Sequence, residues 1–538
     1  MGTNSSVWLG LWSVFLAIGW LLPNHSRPWT SFHSEVWVAA LTSVIVLLSI
    51  LKAPSRFSLD ILLAFIAAVT VIPFVQFAFD QIAYFGQAWI GSLYILGLLL
   101  AILAGRFFEL SYPDRLVDYL SLAIGIASLC SVYFQIIQWL ALDGLGIWLN
   151  ESDPSRPSAN LGQPNQLATL LLWGCVATLW GWSRSKIGSV VAIVVALILL
   201  FGVALTGSRT AWLAMAWVIS LGWWWRGIWC SKFVPLVLTA LGVYFAFLVL
   251  ILNLHVPGAE IRFAVSSDLR FSAWQLFFGA VLERPLFGYG WGQTAEAHIS
   301  VAQNYPALNV VFAQAHNIFL DLILWCGVPI GGSISIVILY FFWRCYQQVK
   351  SPKGAVLFLY LLIVANHAML EFPLQYAYFL LPFGIIFGVV SANDQRVCQQ
   401  LMVRKTTFVL VWCLSVVMLA ITFVDYMKLE NSYRLLRMEW AGFNLELDPQ
   451  PPEMIALNQW SHIIKHARVL PSAGMGEAAL DDMRRVTLLA HKPIDFRLLS
   501  SALMLNGKVP EAELWLERMR KVGVDKSRLT FGASAEGQ

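Results

Sequence analysis

Apolar residues run in blocks of about 16 to 27 along the chain as far as residue 425, separated by short polar connections. A block of that length, wound as an α-helix, covers the ~30 Å hydrocarbon core of a bilayer. Thirteen such stretches are expected, over 7–23, 34–51, 58–79, 88–105, 116–141, 164–182, 187–205, 210–225, 233–254, 317–343, 355–370, 375–391 and 406–425. The first has no basic leader and no small-residue cleavage site, so it is expected to stay as a helix. These stretches define a membrane domain over 1–425 with one large outward loop at 255–316, and the pattern changes after it. From 426 to 538 charged residues interleave with Leu, Met and Trp at helical spacing, which predicts a second, helical domain. In FRLLSSALMLNGKVPEAELWLERMRKV, Asn506–Gly507 ends one amphipathic helix and Pro510 with Glu511 opens the next. That is the plan of one tetratricopeptide-type unit, and a generic helical hairpin fits it equally well.

Composition agrees with the pattern. Of 538 residues, 58% are hydrophobic and 12% charged, with a mean hydropathy of +0.69, which places the chain among all-α polytopic membrane proteins. The 25 Trp and 34 Phe suit the bilayer interfaces, and a net charge of +4 is too small for a nucleic-acid partner. Cytoplasmic loops retain Lys and Arg, and here those residues fall in every second connection: Lys52 and Arg56, Arg106 and Arg115, Arg184 and Lys186, Arg226 and Lys232, Arg344 with Lys350 and Lys353, then Arg396 with Arg404 and Lys405. The N-terminus is therefore expected inside and the C-terminal domain outside. Cys130, Cys175, Cys326 and Cys413 lie within spans, whereas Cys230, Cys345 and Cys398 lie in inward connections. This excludes a framework of external disulfides, and no Cys/His spacing resembles a metal site.

Three outward features carry polar groups that are expensive near lipid. The loop GIWLNESDPSRPSANLGQPNQ ends in Asn160, Gln163, Asn165 and Gln166 at the mouth of the sixth stretch, where Asn160 or Asn165 can cap the helix that Pro164 begins. Capping needs one amide, and four are present. In LTGSRTAW, Arg209 sits at membrane depth in a very short turn. Either it snorkels to the interface, or its planar fork of donors holds an anion together with Gly207, Ser208 and Thr210 at the start of the next helix. In the large loop, Arg270 and Trp274 are one helical turn apart, and Gly288, Gly290 and Gly292 alternate with Tyr289 and Trp291, suggesting a turn that exposes aromatic rings. His316 and Asn317 close the loop at the mouth of the tenth stretch, where a histidine is either a satisfied structural residue or a site residue.

Two arginines, a histidine, an amide cluster and aromatic rings at one membrane surface suit a lipid-linked diphosphate. Arginine neutralises the diphosphate, and histidine can take a proton from an incoming hydroxyl or, when protonated, bind the diphosphate itself. The segments RPSANLGQPNQLATLLLWG, LTGSRTAWL, RFSAWQLFFGAVLERPLFGYGWGQ, QAHNIFLDLILWCGVPIG and HAMLEFPLQYAYFLLPFG resemble, in order and spacing, the bacterial O-oligosaccharyltransferases of the PglL type, which include pilin glycosylases. The wider superfamily holds O-antigen ligases and polymerases, which share mainly the GSRT-like and histidine-containing features. The NLGQPNQLAT block is the one that discriminates.

The resemblance implies an inner-membrane glycosyltransferase of the GT-C-like kind. It would move an oligosaccharide from undecaprenyl diphosphate to Ser or Thr of a pilin or other periplasmic protein, with active site and C-terminal domain periplasmic. It implies His316, Arg209 and Arg270 as catalytic residues and Gln163 as the functional amide of the first block. Asn160, Asn165, Asn317, Glu371 and Tyr376 join them as donor- or acceptor-binding candidates. The family often has tyrosine where this chain has Phe372, and Tyr376 and Tyr378 lie near enough to replace that hydroxyl. Glu371 is a candidate partner for an arginine or the histidine. No cofactor or metal is expected, because the arginines can neutralise the diphosphate. The competing readings are an O-antigen ligase or polymerase acting on a sugar acceptor, and a transporter. Transport is disfavoured by the gathering of polar groups on one face.

Overall fold

A computed structural model describes residues 3–23, 25–142, 144–255, 260–392, 400–443 and 450–523. Arg396 and Cys398 lie outside the described residues. Helix dominates, and each stretch expected to span the membrane forms helix over most of its length, the third as two pieces, Ile61–Val69 and Ile72–Ala78, after a strand that takes its first three residues. Among the described residues, seven helical segments are long and apolar enough to cross a membrane, and shorter apolar helices run over Ser6–Leu21, Ser189–Leu205, Pro352–Ala368 and Ala377–Ser391. The chain is a predominantly helical polytopic membrane protein.

Two compact units divide the chain. One comprises 1–70, 93–261 and 337–419, and the other 71–92, 262–336 and 420–538. The expected division at residue 425 therefore differs from the compact units, because the tail shares its unit with most of the large loop. The apolar face of the tail is the physical reason. Phe496, Leu499, Leu503 and Trp515 form one core with Ile299 and Ala302 of the loop.

In the first unit, helices Phe85–Ser111 and Ala377–Ser391 cross at small residues. A Cβ on Gly105 would stand 2.1 Å from the Ile385 carbonyl oxygen, so only glycine permits this approach. An antiparallel ladder that the hydrophobic pattern does not announce pairs Arg56–Asp60 with Gln400–Arg404. Phe57 of this ladder packs edge-on against Phe107 and Phe408.

In the second unit the expected loop at 255–316 is largely helical, with helices Glu260–Glu283 and Thr294–Val301. The following helix, Ile318–Gln347, breaks at Gly327, whose φ is 72°. A Cβ there would meet the Leu286 carbonyl at 2.3 Å. The break lets the RPLFGYGWG turn lie on the helix, with Val328 N donating to Pro285 O, Tyr289 N to Leu324 O and Gly290 N to Trp325 O at 2.7, 2.8 and 3.0 Å. Gly288, Gly290 and Gly292 all take positive φ in this turn. The exposed side chains are not the expected aromatics, however. Tyr289 is buried and donates to the Ala280 carbonyl, while Leu286 and Phe287 project outward. In the tail, helices Pro493–Leu505 and Val509–Val522 flank Asn506–Gly507 as the sequence predicts, and Asn458–His466 and Glu477–Ala490 precede them.

Candidate functional site

The first unit draws three of the quoted blocks together around the start of helix Pro164–Ser183. Asn165 Nδ2 donates to Glu371 Oε1 at 3.1 Å, the Tyr378 hydroxyl donates to Gln166 Oε1 at 2.5 Å, and Thr169 Oγ1 pairs with His367 Nδ1 at 2.7 Å. These contacts fix the NLGQPNQLAT block against HAMLEFPLQYAY. The third block joins through Arg156, whose Nε donates to Thr206 O at 3.0 Å and whose Nη2 donates to Asn165 Oδ1 at 3.3 Å. Asn366 adds a bond from its amide to the Thr210 carbonyl at 3.0 Å.

The amides divide by role. Asn160 is buried, donates to the Leu21 and Trp148 carbonyls at 2.8 and 2.9 Å, and accepts from Asn150 N at 3.0 Å. Both of its amide hydrogens and one acceptor position of its oxygen are thus committed to closing the loop. Neither Asn160 nor Asn165 caps the helix. Gln163 occupies the N-cap position, with extended φ and ψ of −133° and 121°, and makes no side-chain capping bond. Among the described residues the Gln163 side-chain amide has no hydrogen bond, unlike the three other amides of the block, and it is half-buried at the helix mouth.

Arg209 is the first residue of helix Arg209–Trp224 and is half-buried. The hydroxyls beside it are turned to one another, Ser208 Oγ and Thr210 Oγ1 lying 2.7 Å apart. One of these two hydroxyls is therefore spent as donor to the other. Tyr376 is stacked between Phe372 and Tyr378, with centroids 6.0 and 5.3 Å away, so an aromatic ladder lines the EFPLQY turn. Behind it, buried Glu35 accepts from Trp29 Nε1, Ser31 Oγ and Ala377 N at 3.0, 2.6 and 2.8 Å, and from the Tyr94 hydroxyl. Sequence reasoning passed over both Glu35 and Arg156. The readable signal is an acid in the first turn of an apolar helix and a lone cation beside the amide cluster.

The second unit holds Arg270, His316 and Asn317. Trp274, one turn beyond Arg270 on helix Glu260–Glu283, donates its indole N–H to the Ala315 carbonyl at 2.8 Å. Asp321 accepts from Ala315 N at 2.9 Å and from Thr294 Oγ1 at 2.7 Å. Held from both sides, the chain enters His316 at φ 54°, a left-handed conformation uncommon outside glycine. Asn317 Oδ1 accepts from Phe319 N and Leu320 N at 3.1 and 3.2 Å, so it caps the next helix and its oxygen is engaged there. The catalytic candidates thus fall into two sets, Arg209 with Gln163, Asn165, Glu371 and Tyr376 in one unit, and Arg270 with His316 in the other.

Family models match the chain in three places: O-antigen ligase over residues 193–332, virulence factor membrane-bound polymerase (C-terminal) over 355–526, and protein glycosylation ligase over 157–182. The last covers the amide block and the helix it opens. The chain is 27% identical over 400 residues to the ComP-specific O-oligosaccharyltransferase of Acinetobacter baylyi, covering 71% of this chain and 70% of that protein. It is 30% identical over 540 residues to the general O-oligosaccharyltransferase of the same organism, covering 95% and 92%. Similarity of that extent, together with the match of the amide block to the protein glycosylation ligase model, makes this chain a member of the bacterial O-oligosaccharyltransferases of the PglL type, glycosyltransferases that act on protein.

Proposed function

We propose that the enzyme takes an oligosaccharide from undecaprenyl diphosphate and joins it to a Ser or Thr hydroxyl of a periplasmic or pilin-like protein. The acceptor oxygen attacks the anomeric carbon as the bond from that carbon to the diphosphate oxygen breaks. His316 takes the hydroxyl proton, and Arg209 and Arg270 stabilise the charge that develops on the departing lipid diphosphate. Gln163 binds the donor or the acceptor through its uncommitted amide. Asn165, Glu371 and Tyr376 shape the wall beside it. The observation that carries this reading is the packing of the amide block against the EFPLQY turn, which leaves Gln163 as the amide with hydrogen bonds to offer.

The proposal includes the setting: thirteen spans of a GT-C-like inner-membrane domain, the N-terminus in the cytoplasm, and a tetratricopeptide-like tail in the periplasm with the active site. The spacing of apolar stretches and the alternation of Lys and Arg support it. No metal takes part, and transfer that stops on chelation would refute this point.

The match to the O-antigen ligase model over 193–332 gives a reason to test a sugar acceptor as well. Purified enzyme is mixed with lipid-linked oligosaccharide and either a pilin or a lipopolysaccharide core. Mass gained by the pilin is the expected result, and modification of the lipid core alone would overturn the proposal.

A further inference from the structure

Three segments of the second unit, 80–87, 284–296 and 485–489, wall a cavity of about 550 Å³. This lies within the range of roughly 300–1,000 Å³ usual for small-ligand sites. None of His316, Arg270 or Asn317 lines it. We propose that this cavity is a saccharide subsite, taking sugars of the transferred glycan beyond the one joined to the diphosphate. The inference rests on the oligosaccharide-transfer reading above.

Its walls carry amides with hydrogen bonds in hand. Among the described residues, the Gln81 side chain makes no hydrogen bond, and Gln87 uses its Oε1 to accept from Tyr84 N at 3.3 Å, leaving its NH₂ group available. Gln293 donates from Nε2 to the Trp291 carbonyl at 3.5 Å and keeps Oε1. The walls thus offer both donors and acceptors to one space, which is what a ring of hydroxyls requires, since each hydroxyl both donates and accepts. Two guanidiniums add charge-assisted donors. Arg284 lies over the Tyr289 ring at 4.5 Å and 3.6 Å from Glu296, and Arg485 is held by Asp481 at 2.9 Å. Burial pushes the Glu296 carboxyl up to about 7 against the pull of Arg284, so at neutral pH this group can also serve as donor or acceptor.

Apolar surface completes the site. Leu488 and Leu489 line one wall, and Phe287, 66% exposed, stands at the other on a turn fixed by its backbone bonds to helix Ile318–Gln347. Sugar C–H faces pack on such surfaces while their hydroxyls bond to the amides. A lipid chain would leave the amides unsatisfied.

The test compares two donors, undecaprenyl diphosphate carrying one N-acetylhexosamine and the same lipid carrying four or more sugars. The variants are Gln81→Ala with Arg485→Ala, and separately Phe287→Ala, all partly or largely exposed positions. The expected result is a KM for the long donor about tenfold higher, with kcat and the one-sugar KM unchanged. Equal change for both donors, no change, or a change confined to the KM of the acceptor protein would overturn the subsite. Wild-type enzyme that transfers from neither donor would count against the transfer reading itself. Free oligosaccharide released from the long donor, titrated against intrinsic Trp fluorescence, then decides separately: saturable binding weakened in the variants supports the subsite, and no binding to wild type removes it.

Discussion

Asn165 donates from Nδ2 to Glu371 Oε1 at 3.1 Å and accepts at Oδ1 from Arg156 Nη2 at 3.3 Å, so one side chain joins three segments of the first unit. Just along the chain and one turn on, Gln166 and Thr169 make contacts of the same kind with Tyr378 and His367. Short polar side chains in an apolar setting are stable only when so paired. The amide cluster at the helix mouth is therefore mostly a lock, and Gln163 stands outside it.

Gln163→Ala should separate function from folding. Loss of a hydrogen bond to a charged substrate group removes about 1.5–3 kcal/mol, which corresponds to roughly 10- to 150-fold in transfer rate. Membrane insertion and thermal midpoint should match wild type, because the side chain makes no bond within the described chain. A lowered midpoint with equal loss of activity would assign Gln163 to the lock instead. Transfer of a lipid-linked donor in vitro, beside size-exclusion and melting profiles, reads both.

Asn165 and Glu371 should behave as one element. Each of Asn165→Ala and Glu371→Ala removes their shared bond, so the double variant should lose less activity and stability than the two losses added. The coupling is on the order of 1 kcal/mol, as for contacting polar pairs. Additive losses would show that the two residues act independently.

Trp274→Phe keeps a ring but removes the donor to the Ala315 carbonyl. The peptide entering His316 then loses one of its restraints, and the strained left-handed φ becomes harder to hold. The expectation is kcat down by about tenfold with little change in donor KM. An unchanged kcat would mean that Asp321 alone suffices to place His316.

The parts of this molecule that were legible in the sequence are those whose cause is local. Apolar run length marks the helices, and Asn506–Gly507 followed by Pro510 marks the tail hairpin, because turn and cap chemistry act over a few residues. One-turn spacing put Arg270 and Trp274 on one helix for the same reason. What escaped has long-range causes. Asn160 reads as a binding amide until the Leu21 carbonyl, far along the chain, is seen to take its hydrogen. Glu35 reads as an acid at a helix start, yet its oxygens gather donors from Tyr94 and Ala377. The strands 56–60 and 400–404 are short and distant, so neither carries enough periodicity to announce its partner. The break at Gly327 was hidden by the apolar run that passes through it, although Gly327 and Pro329 were there to be read.

His298 should make the second unit acid-sensitive. It is buried beside Phe277 and Phe312 and its Nδ1 accepts from Phe312 N at 3.0 Å, so the neutral ring is the one the fold accommodates. Burial, and secondarily the charge of His491, lower its pKa from 6.5 to about 4. With the folded value below the unfolded one, its contribution is fully present above pH 6.5 and is lost as pH falls from there to about 4, by about 3 kcal/mol in all. Glu296 on the same helix works the other way. Its folded pKa is raised to about 7, so its contribution is fully present below pH 4.5 and is lost as pH rises to about 7, which partly offsets the histidine across the shared interval. Replacing His298→Asn keeps an acceptor near the Nδ1 position and removes the titration. The thermal midpoint of that variant, measured from pH 4 to 7, should fall less steeply on acidification than that of wild type, whatever its level at neutral pH. Parallel slopes would mean that other groups carry the acid response.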